Sequence, residues 1–161
     1  MAKVSAAMIK GFSKTLLQEG YDNPKPIPAF HDEMWELCCS DHPKVAIAAP
    51  RAHAKSTAIT FAYCLSAVLW RERSYAMIVS ETEAQSKQFL HDLKKILLNN
   101  TKIKQLFNVK GFSKETETEV VIEFLDGHEA RIIAKGSGQS VRGAKINNKR
   151  MSVASYFGRY D

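Results

Sequence analysis

VAIAAPRAHAKSTAITFAYCLSAVLW, residues 45–70, decides how the chain is read. Val45–Ala49 is a short continuous apolar run, the pattern of a strand buried on both faces. Pro50 opens a turn, and from about Lys55 to Trp70 the residues are those of an apolar helix. A buried strand, a turn and a helix that starts on Lys55-Ser56 form the context of a phosphate loop, whose usual pattern is G-x-x-x-x-G-K-[ST]. Ala49 and Ala54 stand at the two glycine positions, while the lysine and serine are in register. Glycine there supplies φ > 0 and close backbone approach; alanine bears a penalty for φ > 0 but is tolerated where the local turn is right-handed. By spacing alone the segment is either a phosphate loop or an ordinary strand–turn–helix.

Outward from this segment, strands and helices alternate. Upstream, apolar residues at Val4, Met8, Phe12, Leu16 and Leu17 make a helical stripe over Val4–Gln18 that ends at Gly20. Tyr21–Pro28 (YDNPKPIP) is a proline-rich linker, and Ala29–Cys39 is a short helix with Phe30, Met34, Leu37 and Cys38 on one side. Downstream, Tyr75–Ser80 is a second buried strand. Glu83–Asn99 is an amphipathic helix, with Phe89, Leu93, Ile96 and Leu97 inward and Lys87, Lys94 and Lys95 outward. Val120–Phe124 and Ala130–Ala134 flank Asp126-Gly127 as a hairpin. The pattern predicts an α/β fold with a largely parallel sheet.

Composition excludes several classes. With 161 residues, 45% hydrophobic and 25% charged, the chain has the make-up of one globular domain. The apolar stretches Phe61–Trp70 and Tyr75–Val79 fall far short of the roughly 18–20 residues of a membrane span. Met1–Lys10 has no apolar signal segment. Cys38, Cys39 and Cys64 form no disulfide framework, which suits a reducing cytoplasm. Cys38 and Cys39 with His31 or His42 are either metal ligands at an unusual spacing or plain thiols.

The net charge of +6 is unevenly placed. Residues 1–130 carry 16 Lys and Arg against 16 Asp and Glu, which cancel. Residues 131–161 carry seven cations against Asp161 alone. Such a segment either attracts phosphate or is a solvated basic tail.

Four ordered segments resemble the large terminase subunits of tailed bacteriophages, the ATP-driven motors that package DNA. IAAPRAHAKSTAITFAYCLSAVL resembles their deviant phosphate loop, in which Pro-Arg follows the strand and Lys-Ser/Thr ends the loop without strict glycines. PAFHDEMWELC is similar to the adenine-side segment, and YAMIVSETEAQSKQFLHDLKKIL to the second strand and helix. AKGSGQSVRGAK is similar to the element before the second acidic motif. The resemblance covers about residues 28–150. It implies a P-loop NTPase (ASCE-type) parallel-sheet core, incomplete at the C-terminus and preceded by an N-terminal helix. It divides the chain into a helix and linker (1–28), a partial ATPase domain (29–150) and a non-matching tail (151–161), with the nuclease domain absent.

The resemblance also assigns residues. Lys55 would bind the β/γ-phosphates of ATP and Ser56 the Mg2+, with Ala52, His53 and Ala54 as loop backbone and Thr57 as support. Arg51 would act on the γ-phosphate from within the subunit, a role suited to its permanent charge. Arg142 is either a finger offered to a neighbouring motor subunit or a solvated charge. His31 is either an adenine contact or a surface histidine. Ser80 and Thr82 would shape the turn after the second strand, and Gly136, Gly138 and Gly143 would allow close approach to a neighbour or nucleotide. The implied partners are double-stranded viral DNA, the portal protein, the small terminase subunit and further copies in a motor ring. The implied location is the host cytoplasm, at the procapsid portal.

The match ends at Arg150. In the family a hydrophobic strand with an acidic pair follows, and it is expected beside the phosphate-loop strand. Met151–Phe157 occupies that position and can be extended, but it lacks the acids, and Asp161 is a poor substitute. The last eleven residues are expected to reflect a frame change, an interrupted gene or a premature stop. Hydrolysis by this chain alone should be very slow, and Val45–Ala49 should be left as an open apolar edge. A non-catalytic nucleotide- or DNA-binding module and a fragment of a P-loop helicase are the competing readings. The Gln-Ser-Val-Arg-Gly run argues against the helicase.

Overall fold

A computed structural model describes residues 3–42, 44–49 and 54–139, together with the backbone of 145–146, 149–150 and 153–157. Arg51, Ala52, His53, Arg142 and Gly143 lie outside the described residues. The chain forms two compact units, Met1–Glu72 and Arg73–Asp161.

The regular elements among the first unit's described residues are all helical. Helix α1, Ala6–Phe12, starts where the Ser5 hydroxyl accepts from the Met8 N–H at 3.3 Å. It runs on through a wide turn at Ser13–Leu17 and a tight one at Gln18–Gly20, so the helix ends at the expected glycine. Helix α2 spans Ala29–Cys39, as the periodicity predicts. Its buried face differs from the expected one, however: His31, Met34 and Trp35 are inside, while Leu37 is 44% exposed. The helix expected from Lys55 is present. It begins at Lys55-Ser56, widens into a π turn over Thr57–Tyr63 and continues as α3, Cys64–Leu69, every residue of which is buried. Phe12 meets Trp70 edge-to-face at 5.7 Å.

The strand expected over Val45–Ala49 is not formed. These residues are irregular; Val45, Ala46 and Ala48 are exposed. The reason is the company the segment keeps. A strand needs backbone partners, and the described residues of this unit contain no other strand.

The second unit is built on β1, Tyr75–Ser80, all six residues of which are buried. Helix α4, Glu83–Asn99, starts at Thr82, whose hydroxyl accepts from the Gln85 N–H at 3.3 Å. Its buried stripe is Ser86, Leu90, Leu93, Lys94 and Leu97. Lys94 therefore points inward, against expectation, and its ammonium donates to the Thr116 carbonyl at 3.0 Å and faces Glu115 at 3.4 Å. A long aliphatic stem lets a lysine lie along an apolar face and deliver its charge to an acceptor at the rim.

A short helix α5, Thr101–Leu106, precedes β2, Val109–Glu115, β3, Glu119–Phe124, and β4, Glu129–Gly136. The expected hairpin is β3–β4, antiparallel, with Gly127 at φ 85° and Asp126 Oδ1 accepting from the His128 N–H at 3.1 Å. After a small ladder of β5, Lys145–Ile146, and β6, Lys149–Arg150, comes β7, Val153–Phe157. The sheet order is β2-β3-β4-β1-β7. The pairs of β1 with β4 and β7 are parallel, and those of β3 with β2 and β4 are antiparallel, so the fold is α/β with a mixed sheet. The strand near the C-terminus exists, but it pairs with β1 rather than with Val45–Ala49.

Candidate phosphate-binding site

The loop that joins Ala49 to the helix at Lys55 has its two ends tied together. The Lys55 ammonium donates to the carbonyl oxygen of Ala49. Ala54, at the second glycine position, has φ 48°, in the left-handed region that an L-residue enters at a cost of about 1–2 kcal/mol. The next residues are helical, and the first ladder bond runs from the Ala58 N–H to the Ala54 carbonyl at 3.0 Å. A left-handed residue feeding a helix N-terminus turns successive N–H groups toward one concavity, where an anion is favoured. The first turn of the helix has no intrahelical acceptor for its N–H groups. Lys55, Ser56 and Thr57 are half-buried at this end, and Ala54 is exposed.

This end of the helix is held from behind. Trp35, fully buried in α2, donates its indole N–H to the Ala58 carbonyl at 2.9 Å. Ala58 lies in the π turn, where the Cys64 N–H reaches back five residues to Ile59. Helix periodicity gave no hint of this bond. A tryptophan on a short amphipathic helix was the only available signal.

An ammonium, a hydroxyl and helix-start amides together form a donor set suited to a polyphosphate. They fit ATP with Mg2+: Lys55 would hold phosphate oxygens and Ser56 would offer its hydroxyl to the metal. Bound Mg2+ would neutralise charge on the phosphates. No group of three His, Cys, Asp or Glu side chains that could hold a metal occurs among the described residues.

His31 is buried rather than on the surface. It is 6% exposed, with its ring edge-on to Phe30 at 4.8 Å and tilted against Trp35 at 5.7 Å. In the second unit, the turn after β1 is shaped as expected: Thr82 caps α4, and the Ser80 carbonyl accepts from the Ser137 N–H at 2.9 Å. The close approach expected of the glycines occurs at Gly136, toward its own chain: a Cβ there would lie 2.9 Å from the Glu83 backbone nitrogen. At Gly138 nothing lies within 4 Å. Gln139 closes this corner by accepting from the Gly136 N–H at 2.8 Å and donating to the Glu83 carboxylate.

Cys38, Cys39 and Cys64 are free of disulfides, with Cys64 buried and the other two half-buried. Burial pushes Cys64 up to about 12, and burial, reinforced by Cys39, does the same to Cys38. An unfolded thiol titrates near 8.5. Between that value and about 12 the folded chain keeps protons that the unfolded chain loses, so stability is full below pH 8.5 and falls as pH rises. The melting temperature is expected to drop steadily from about pH 9 to 10. In Cys64→Ala the fall should be shallower; equal slopes in thermal melts of the two proteins would contradict this.

Compared with protein-family models, curated proteins and solved structures, the chain matches none of them. No helix among the described residues is long and apolar enough to cross a membrane.

Proposed function

We propose that the chain is the N-terminal ATPase-domain part of a phage large terminase subunit, with a P-loop NTPase core that binds ATP and Mg2+ at Ala49–Thr57. The observation that carries this reading is local. Ala54 takes the left-handed backbone at a glycine position of the motif, directly before a helix whose first lysine bonds back to Ala49. An alanine held at that cost needs a reason, and a phosphate cradle supplies one. The four ordered segments of terminase-like sequence supply the rest of the argument.

In this reading Lys55 holds the β/γ-phosphates and Ser56 the metal. Arg51, four residues earlier, reaches the γ-phosphate, and Arg142 serves a neighbouring subunit. Double-stranded DNA, the portal protein and the small terminase subunit are the partners, in the host cytoplasm.

A second reading, a nucleotide-binding module that does not turn over, rests on Met151–Phe157, which the resemblance sets at the position of the acidic strand and which holds no carboxylate to orient the attacking water.

Fluorescent ATP-analogue binding with phosphate release followed in the same samples tests both. The chain is expected to bind, Lys55→Ala to bind at least about tenfold more weakly, and neither to release phosphate above background. Equal binding by the two proteins would remove the phosphate loop. Release by the unaltered chain that Lys55→Ala abolishes would remove the non-catalytic reading.

A further inference from the structure

The helix that begins at Lys55-Ser56 changes its winding before it reaches the core. Its first turn closes in α register, with the Ala58 N–H on the Ala54 carbonyl at 3.0 Å. Its last stretch, α3, is buried at every residue. Between them Thr57–Tyr63 winds wider, so that the Cys64 N–H reaches the Ile59 carbonyl. Close packing fixes α3, so a movement of Lys55 and Ser56 has to be absorbed in the π turn.

Two side chains show that this turn is held away from its relaxed geometry. The Trp35 indole draws on the Ala58 carbonyl from outside the helix at 2.9 Å, and a side chain that enters the carbonyl ladder in this way loosens it. Thr60 is 0% exposed, and its hydroxyl has no partner among the described residues. A helical threonine can return its hydroxyl to the carbonyl four residues back. Thr15 does so to Gly11 at 2.6 Å, in the wide turn after α1. A wide turn alone therefore does not break this bond, and its loss at Thr60 belongs to the turn on which Trp35 pulls. The acceptor that Thr60 lacks would be the carbonyl of Ser56, the neighbour of Lys55.

We propose that the π turn Thr57–Tyr63 is the moving part of the phosphate site, and that Trp35 is the positioning residue that holds it open. In the open form the Lys55 ammonium is on the Ala49 carbonyl and the Thr60 hydroxyl is unpaired. A polyphosphate that draws on Lys55 and Ser56 tightens the turn, returns the Thr60 hydroxyl to the Ser56 carbonyl and loosens the indole bond. The site is thereby coupled to α2 through one hydrogen bond made and one given up. The choice of ligand rests on the phosphate-loop reading; the π turn, the indole bond and the unpaired hydroxyl do not.

The test is calorimetric titration of the full chain with inorganic tripolyphosphate and Mg2+, beside thermal melts without ligand. Ser66 is the control: its hydroxyl is equally buried and unpaired, but it lies in α3, beyond the turn. Thr60→Val and Ser66→Ala each remove a buried unpaired hydroxyl, so both are expected to raise the melting temperature. Only Thr60→Val is expected to weaken binding, by about three- to tenfold, the worth of one hydrogen bond. Trp35→Phe is expected to melt lower and yet bind about three- to tenfold more tightly, an opposition of sign that a purely structural tryptophan would not give. If these variants do not fold, Trp70→Phe leaves Trp35 as the only indole, and its emission is expected to move to shorter wavelength as tripolyphosphate saturates. Equal weakening in Thr60→Val and Ser66→Ala, or unchanged affinity in both Thr60→Val and Trp35→Phe, would overturn the switch and leave the phosphate loop standing. An unchanged Trp35 emission at saturation would do the same. No binding by the unaltered chain, or equal binding by Lys55→Ala, would overturn the loop and the switch together.

Discussion

Trp35→Ala is expected to destabilise the first unit by about 3–5 kcal/mol, the range for deleting a fully buried tryptophan. Trp35 is 0% exposed, and its indole N–H is the donor to the Ala58 carbonyl at 2.9 Å. Truncation leaves a cavity between α2 and the helix that begins at Lys55, and it strips a carbonyl of a partner where water does not easily replace it. Against a total of about 5–15 kcal/mol for a typical domain, that loss removes a large share. Trp35→Phe separates the two contributions, because it keeps most of the ring and deletes the donor. Its expected cost is about 1–3 kcal/mol. Urea unfolding followed by circular dichroism measures both. A Trp35→Ala protein within 1 kcal/mol of the unaltered chain would mean that α2 does not brace this helix.

Gly136→Ala is expected to cost the second unit about 1–3 kcal/mol through overpacking. The new methyl carbon would sit 2.9 Å from the Glu83 backbone nitrogen, closer than real Cβ atoms approach. Because the obstacle is backbone at the start of α4, relief requires the end of β4 and the helix to part. That movement breaks the corner in which Gln139 accepts from the Gly136 N–H and donates to Glu83. Gly138→Ala, two residues on, is the internal control. Nothing lies within 4 Å of its Cβ position, so it is expected to be neutral or slightly stabilising through the unfolded chain. Similar melting temperatures for the two variants would show that the contact at Gly136 yields without cost.

Much of the local structure was legible in the residues themselves. The bounds of α2, the span of β1, the β3–β4 hairpin and the helix from Lys55 follow from periodicity and turn residues, because each is decided by its own side chains. Strand β2 was not legible. It reads Val-Lys-Gly-Phe-Ser-Lys-Glu, and register shifts at Val109/Gly111 and Phe112/Lys114 break its alternation, so no period-2 signal survives. Helix α5 buries only Ile103 and rests on the Asn100 cap, too little for a stripe. Of the candidate site, the lysine and serine could be placed from spacing. The indole behind Ala58 could not.

The sequence by itself determined where Lys55 and Ser56 stand on a helix and that the positive charge gathers at one end. Only the tertiary structure decided the fate of Val45–Ala49, the side of α4 on which Lys94 lies, and which strands flank β1. A helix closes its hydrogen bonds within its own residues, so local pattern is enough to specify it. A strand borrows its partners from distant chain, and an apolar run without such partners stays irregular whatever its composition.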